Sequence, residues 1–308
     1  MEHFADRLTA AVTARATPAI VGLDPVLERL PAELRRHANT ASAAAEATEK
    51  FCRAVLDAVA PVVPGVKINS AFFEVFHQAG IAAYYRLIAH AHSLGLLVIG
   101  DVKRGDIGST ARLYAAAHLV EPPFSDIDPA SIPDAVTLAG YLGESAVRPF
   151  IEAAKAGGRG VFILVRPSDP GADEVHEFAG FGGSVRLYEM MGRLVERWGR
   201  RSDLIGHCGL SCVGAVVAPK DLTSTATLRV QLPRTPFLVP GYGAQGASAA
   251  ECRPCFRRDG TGAVVNASRS VIFAYERPDM IQQHGSDWRA CIAAAARAFA
   301  ADVAPLIQ

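Results

Sequence analysis

Residues 98–108 read Val-Ile-Gly-Asp101-Val-Lys103-Arg104-Gly-Asp106-Ile-Gly. An apolar, β-branched run leads directly into Asp-x-Lys, and a second aspartate follows the lysine by three residues. Side chains alternate faces along a strand, so Asp101 and Lys103 project the same way. Burying an ion costs several kcal/mol unless it is paired and hydrogen-bonded. Two carboxylates bracketing one ammonium at the end of a buried strand therefore serve a fold poorly and a reaction site well. The basic residues sharpen the point: of 31, only Lys50, Lys67, Lys103, Lys155 and Lys220 are lysine, and the rest are arginine. An ammonium yields its proton when its surroundings lower its pKa, whereas a guanidinium practically never does. Lys67 and Lys103, both at ends of apolar runs, are the candidate proton-handling groups.

Elements able to hold such a cluster follow from the apolar pattern. Strands are expected at 19–23, 63–68, 96–100, 135–138, 160–165, 214–217, 237–239 and 263–266. Helical segments are expected between them at 42–59, 81–93, 145–155, 185–200 and 248–256, with a last one at about 287–302. Eight strand–helix alternations predict an α/β fold, a (β/α)8 TIM barrel. No Ser/Gly-rich linker or low-complexity tract divides the chain. The expectation is a single domain over 1–308, with an N-terminal helix and an inserted segment around 115–133. An open doubly wound sheet fits less well, because the first strand runs into Asp24-Pro25 rather than a Gly-x-Gly-x-x-Gly turn.

In such barrels the chemistry gathers at the C-terminal strand ends. Those positions carry Asp24, Lys67, Asp101 with Lys103 and Asp106, Thr137, Ser168, Gly241 with Gln245, and Arg269. Any one of them is adequately explained as a cap or loop residue, but the full ring is not. The seventh strand is followed by Pro240-Gly-Tyr-Gly243-Ala-Gln245-Gly246 and the eighth by Asn266-Ala-Ser268-Arg269-Ser270. These are the two loops where barrels commonly hold phosphate. Glycines let backbone N–H groups approach an anion, and Arg269 offers it a bidentate fork.

Bulk properties narrow the partners. Thirty-one basic residues balance thirty-one acidic ones, which gives no support to nucleic-acid binding. Residues 1–7 are charged where a signal peptide needs an apolar run. The apolar runs 96–99 and 161–165 are far short of the ~20 residues that cross a bilayer. A cytoplasmic protein without a membrane partner is expected. Six cysteines include Cys252-Arg-Pro-Cys255, and His207, Cys208 and Cys212 add further zinc-ligand types. With no second C-x-x-C to pair with it, the set reads as buried thiols, and no metal site is assigned.

The combination of Asp101-x-Lys103-x-x-Asp106-Ile-Gly, Lys67 at the second strand and Pro240-Gly-x-Gly-Ala-Gln245-Gly246 resembles orotidine 5′-phosphate decarboxylase. Lys67-Ile-Asn-Ser-Ala-Phe-Phe-Glu74, Lys103-Arg-Gly-Asp-Ile-Gly and Arg166-Pro-Ser168-Asp-Pro-Gly171 are similar to its longer bacterial branch. The resemblance runs from about Gly22 to Ala274 and implies cofactor-free decarboxylation of orotidine 5′-phosphate to uridine 5′-phosphate. It makes Lys103 the acid that protonates C6, sets Asp101 against the substrate carboxylate, and completes the network with Lys67 and Asp106. Asp24 would bind ribose hydroxyls, Ser168 the pyrimidine edge, and Gln245 with Arg269 the phosphate, with Gly243 in the same loop. Asp106, Ile107 and Thr110 would reach into a neighbouring subunit, which implies a homodimer with shared sites. The chain departs from the family's pattern at Leu138-Ala139-Gly140-Tyr141, where Val-Asn-Pro-Tyr is usual, and at Pro167 and Asp169. Relatives with the same Asp-x-Lys motif that bind Mg2+ and cleave keto-sugar phosphates carry an acid where this chain has Lys67, and a cation there repels a divalent metal. A barrel that only binds nucleotides would not need the costly charged set.

Overall fold

Each apolar run forms a parallel strand: β1 Ala19–Leu23, β2 Gly65–Asn69, β3 Leu97–Arg104, β4 Ala135–Leu138, β5 Gly160–Arg166, β6 Val213–Val217, β7 Phe237–Val239 and β8 Ala263–Ala267. In the computed structural model, which describes every residue except Phe181, Ser184, Ala244 and Gln245, the strands pair in chain order and β8 closes on β1. The fold is a (β/α)8 barrel. Its strands are covered on both faces, which is why they read as near-continuous Val/Ile/Leu runs rather than alternating ones.

Among the described residues the longer helices are α1 Phe4–Arg15, at one mouth of the barrel, and, packed around it, α2 Ala41–Val59, α3 His77–Ser93, α4 Gly108–Leu119, α5 Glu144–Ala156, α6 Leu187–Gly199, α7 Leu222–Gln231 and α8 Trp288–Val303. The segment around 115–133 divides in two. Residues 115–119 complete α4, and 120–133 form a connection with a turn at 125–126 and a 3-10 turn at Pro129–Ser131. The helix expected at 248–256 is shorter: Ala249–Cys252, started by a Ser248/Glu251 capping box, gives way to a 3-10 turn at Arg253–Cys255. Pro254 has no N–H to continue an α-helical ladder.

Helix α1 closes the N-terminal mouth of the barrel. The Phe4 ring meets Phe162 edge-on at 5.9 Å. A Cβ on Gly160 would overlap the Phe4 ring, and one on Gly214 would lie 2.5 Å from Phe162, so these two glycines make the room. Asp134, at the start of β4, ties the same end together by pairing with Arg7 and His92 and accepting the Val98 N–H. Segment 288–307 is long and apolar enough to cross a bilayer by length and composition, unlike the apolar runs 96–99 and 161–165. Here α8 packs against α2 and β1 and buries Trp288, Ile292, Ala296 and Phe299. Cys52, Cys212, Cys252, Cys255 and Cys291 are buried free thiols, and burial pushes Cys212 and Cys252 up to about 12.

Candidate active site

Strand register builds the charged cluster at the opposite mouth. Lys67 on β2 lies beside Gly22 and Ile99, and Asn69 lies beside Asp101. Period-two alternation turns Lys67 and Asn69 to one face of β2 and Asp101 to the same interior from β3. The Lys67 ammonium donates to Asp101 Oδ2 at 2.7 Å and to Asp24 Oδ1 at 3.3 Å. The other oxygen of Asp101, Oδ1, accepts from Lys103 Nζ at 2.7 Å and from the Thr137 hydroxyl at 2.8 Å. One carboxylate thus sits between two ammoniums, with a second carboxylate behind Lys67. The formal charge of the four side chains is zero.

Burial divides their work. Asp101 is 6% exposed and Lys67 7%, whereas the Lys103 side chain is about half exposed. Burial alone would raise the Asp101 pKa, but the Lys67 and Lys103 charges outweigh it and hold the carboxyl far below its usual range. Burial likewise opposes the Lys67 charge, and Asp24 with Asp101 reverses the effect, so its pKa moves up. Lys67 is a fixed cation, and Lys103 is the ammonium that faces open space.

The backbone at Lys103 is unusual. β3 pairs with β4 at Gly100–Val136 and again only at Arg104–Leu138, so two extra residues bulge from β3. Within that bulge Lys103 has φ = +44°, a left-handed conformation that costs a non-glycine residue of order 1–3 kcal/mol. Thr137 accepts the Lys103 N–H at 3.0 Å while donating to Asp101, so one hydroxyl ties strand and carboxylate together.

A cavity of about 310 Å3 opens above the cluster. Asp24, Lys67, Asp101, Lys103, Thr137, Ser168, Gly241 and Arg269 all line it, so the structure brings together six of the ten expected site residues and two further members of the strand-end ring. Asp106 and Thr110 lie elsewhere: the Asp106 carboxylate accepts the Ile107 N–H at 2.7 Å in the loop before α4, and Thr110 belongs to the first turn of that helix. Gly243, with φ = +70°, sits in the β7 loop near Ser270 without lining the cavity. Gln245 lies outside the described residues. The departing loop after β4 does not line the cavity either. The Ala139 N–H bonds Arg104 O, and Gly140 packs against Ile163 and Met191.

Asn266, Ser268 and Arg269 line the cavity, and among the described residues the buried hydroxyls of Ser268 and of the adjoining Ser270 have no hydrogen-bond partner. Unsatisfied buried polar atoms are rare, and a bound ion or water is a common partner for them. The two hydroxyl donors, Arg269 between them in sequence and the glycine-rich loop at Gly243 against Ser270 make a combination that fits an anion. Tyr242 fastens that loop to the C-terminal helix: its phenol donates to the Asp302 carboxylate and its ring packs on Phe299 at 4.7 Å. Asn69 and Tyr242 line the site without having been singled out. Asn69 was findable, since it stands two residues beyond Lys67 on the same strand face.

A barrel with a lysine–carboxylate network at its strand ends and an anion cup beside it defines an enzyme acting on a small anionic substrate. Residues 18–281 match the Orotidine 5′-phosphate decarboxylase / HUMPS family. The chain is similar to orotidine 5′-phosphate decarboxylase of Rhodopirellula baltica, 38% identical over 301 residues that span 96% of this chain and 97% of the relative. It is also similar to that of Clostridium novyi, 35% identical over 88% of this chain and 89% of the relative. Among solved structures, Leishmania donovani OMP decarboxylase superimposes with a TM-score of 0.74 at 26% identity, covering 99% of each chain. This chain therefore belongs to the orotidine 5′-phosphate decarboxylase / HUMPS family, and it is a carbon–carbon lyase.

Proposed function

We propose that the chain converts orotidine 5′-phosphate to uridine 5′-phosphate and CO2, the last step of pyrimidine nucleotide synthesis, without a cofactor. The bond from C6 to the carboxylate breaks, its electron pair stays on C6, and the Lys103 ammonium delivers a proton there. The amine left on Lys103 regains its proton from water, which its half-exposed position permits. The observation that carries this reading is Asp101 gripping both ammoniums at 2.7 Å, one buried and one facing the cavity.

The magnitudes set the order of importance. Two like charges about 4 Å apart repel by about 4 kcal/mol at an effective dielectric of about 20. Relief of repulsion between Asp101 and the departing carboxylate would then contribute about a thousandfold in rate. Enzymes supply about 8–23 kcal/mol, so the larger share falls to the preorganised Lys103 charge facing the forming carbanion. Arg269 and the Ser268 and Ser270 hydroxyls would hold the phosphate, Asp24 the ribose and Ser168 the base. Binding at those remote groups would favour the reacting geometry at C6.

Asp106 would complete the network of a second subunit. It stands outside its own cavity, bonded to the N–H of exposed Ile107. Mixing Lys103→Ala with Asp106→Ala protein should then restore activity through hybrid sites, and an inactive mixture of re-associated subunits would rule sharing out. The reaction itself is tested by incubating the protein with orotidine 5′-phosphate, with and without a chelator, and following UMP. Equal UMP formation in both is expected; no UMP, or activity lost to the chelator, would overturn the proposal.

A further inference from the structure

Lys103 holds a backbone conformation that lysine disfavours, and its own side chain does not explain how. The neighbouring residue points the other way from the strand. Arg104 donates from Nη1 to Val102 O at 2.9 Å and from Nη2 to Glu74 Oε1 at 2.9 Å. Glu74 ends the short helix Ala71–Glu74 that follows β2, and its Oε1 also accepts the Ser70 hydroxyl at 2.7 Å. The Ser70 N–H in turn bonds Asp101 O at 3.3 Å. These contacts close a ring around the bulge: Asp101 carbonyl, Ser70, Glu74, Arg104, Val102 carbonyl. On the far side the Ala139 N–H takes Arg104 O at 2.9 Å, and a Cβ on Gly105 would lie 2.8 Å from Ala139 O.

We infer that the Glu74–Arg104 pair, with Ser70, is a positioning clasp that holds the left-handed turn at Lys103 and so aims its ammonium at the reacting carbon. This rests on the proposed role of Lys103. The Glu74 and Arg104 side chains are 38% and 28% exposed, too wet for the pair to matter much to global stability. Its value lies in tying the Asp101 and Val102 carbonyls, just before the turn, to the Arg104 side chain just after it. The Ser70 hydroxyl, followed by Arg104, keeps the Glu74 carboxyl below its usual range. Buried His118 stays neutral, because burial first and the Arg104 charge second push it down to about 4. It therefore does not compete with Arg104 as a second cation for Glu74.

The test uses the full chain with Glu74→Gln, Arg104→Met, the double variant, and Arg104→Lys. Loss of the clasp should lower kcat at least tenfold in each of the first two while KM stays within twofold, because substrate contacts are untouched. The double variant should be no slower than the slower single one, since both break the same ring. Arg104→Lys, which keeps a donor for Glu74, should recover part of the loss, and Glu74→Gln carries the test if the methionine variant does not fold. Glu152→Gln, at a surface pair with Arg201, should change neither constant. Kinetic constants within twofold of the parent in folded Glu74→Gln and Arg104→Met, or losses that multiply in the double variant, would overturn the clasp. A parent protein that fails to decarboxylate orotidine 5′-phosphate refutes the proposed function instead. In that event the Lys103 Nζ resonance in NMR still reads the clasp: a shift on Glu74→Gln supports it and no shift overturns it.

Discussion

Replacing Asp101 by asparagine keeps the shape of the cluster and removes the charge at its centre. The variant leaves Lys67 and Lys103 facing one another across a neutral amide, with Asp24, 3.3 Å from Lys67, as the remaining counter-charge. Breaking a buried ion pair costs about 3–5 kcal/mol. Only Lys67 is buried; the half-exposed Lys103 side chain is screened toward the ~0–1 kcal/mol of surface pairs, so about 3 kcal/mol of stability should be lost. The catalytic loss should be larger. If Asp101 repels the substrate carboxylate at about 4 Å, relief of that repulsion accounts for about 4 kcal/mol, and kcat should fall about a thousandfold or more. The same repulsion weakens ground-state binding, so Asp101→Asn should bind orotidine 5′-phosphate at least as tightly as the parent. Urea denaturation reads the stability, loss of the orotate chromophore reads kcat, and calorimetry reads substrate and UMP binding. A kcat within tenfold of the parent, or substrate binding weakened while UMP binding is not, would refute the repulsion argument.

Arg269→Ala removes a charge-assisted contact worth about 1.5–3 kcal/mol to the phosphate. Steady-state kinetics should show kcat/KM for orotidine 5′-phosphate falling roughly ten- to hundredfold, with little change for phosphate-free orotidine; equal losses on both would contradict the assignment. His118 should make the fold acid-sensitive. Burial, then the Arg104 charge, lowers it to about 4 from an ordinary 6.5, so between those values the unfolded chain takes up a proton that the folded chain refuses. Stability should therefore fall as pH drops from about 6.5 to 4, by roughly 3 kcal/mol in total. Urea titrations of His118→Asn should show a shallower acid decline, and identical slopes would remove His118 as the cause.

The barrel was legible because its strands are apolar on both faces and bounded by glycine, proline or charge. β1, β4 and β7 end where the pattern says they do. β3 runs past the apolar stretch 96–100 to Arg104, because charged Asp101, Lys103 and Arg104 continue the ladder without resembling strand residues. α4 lacked an obvious apolar stripe, since it packs through Ala111, Ala115, His118 and Leu119. α7 carries four Ser and Thr residues, whose hydroxyls compete for backbone groups and so suggest a loop; Asp221 caps it and Leu228 anchors it. Within the site, residue type and alternation were enough to place Asp24, Lys67, Asp101 and Lys103 together. Nothing in the type of Lys103 announces a left-handed turn, because glycine and asparagine are the usual markers and the constraint comes from Thr137, Ser70, Glu74 and Arg104. Asp106 and Thr110 carry no signal a single chain can satisfy, since the role expected of them lies in another subunit's cavity.

The central claim is that the Lys103 ammonium protonates the carbon that has just lost CO2. Lys103→Ala, assayed for decarboxylation alongside calorimetric binding of UMP, addresses it most directly. Turnover should be abolished while UMP still binds within about tenfold of the parent affinity, because the phosphate and ribose contacts are intact. Substantial turnover by the alanine variant would show that another group supplies the proton.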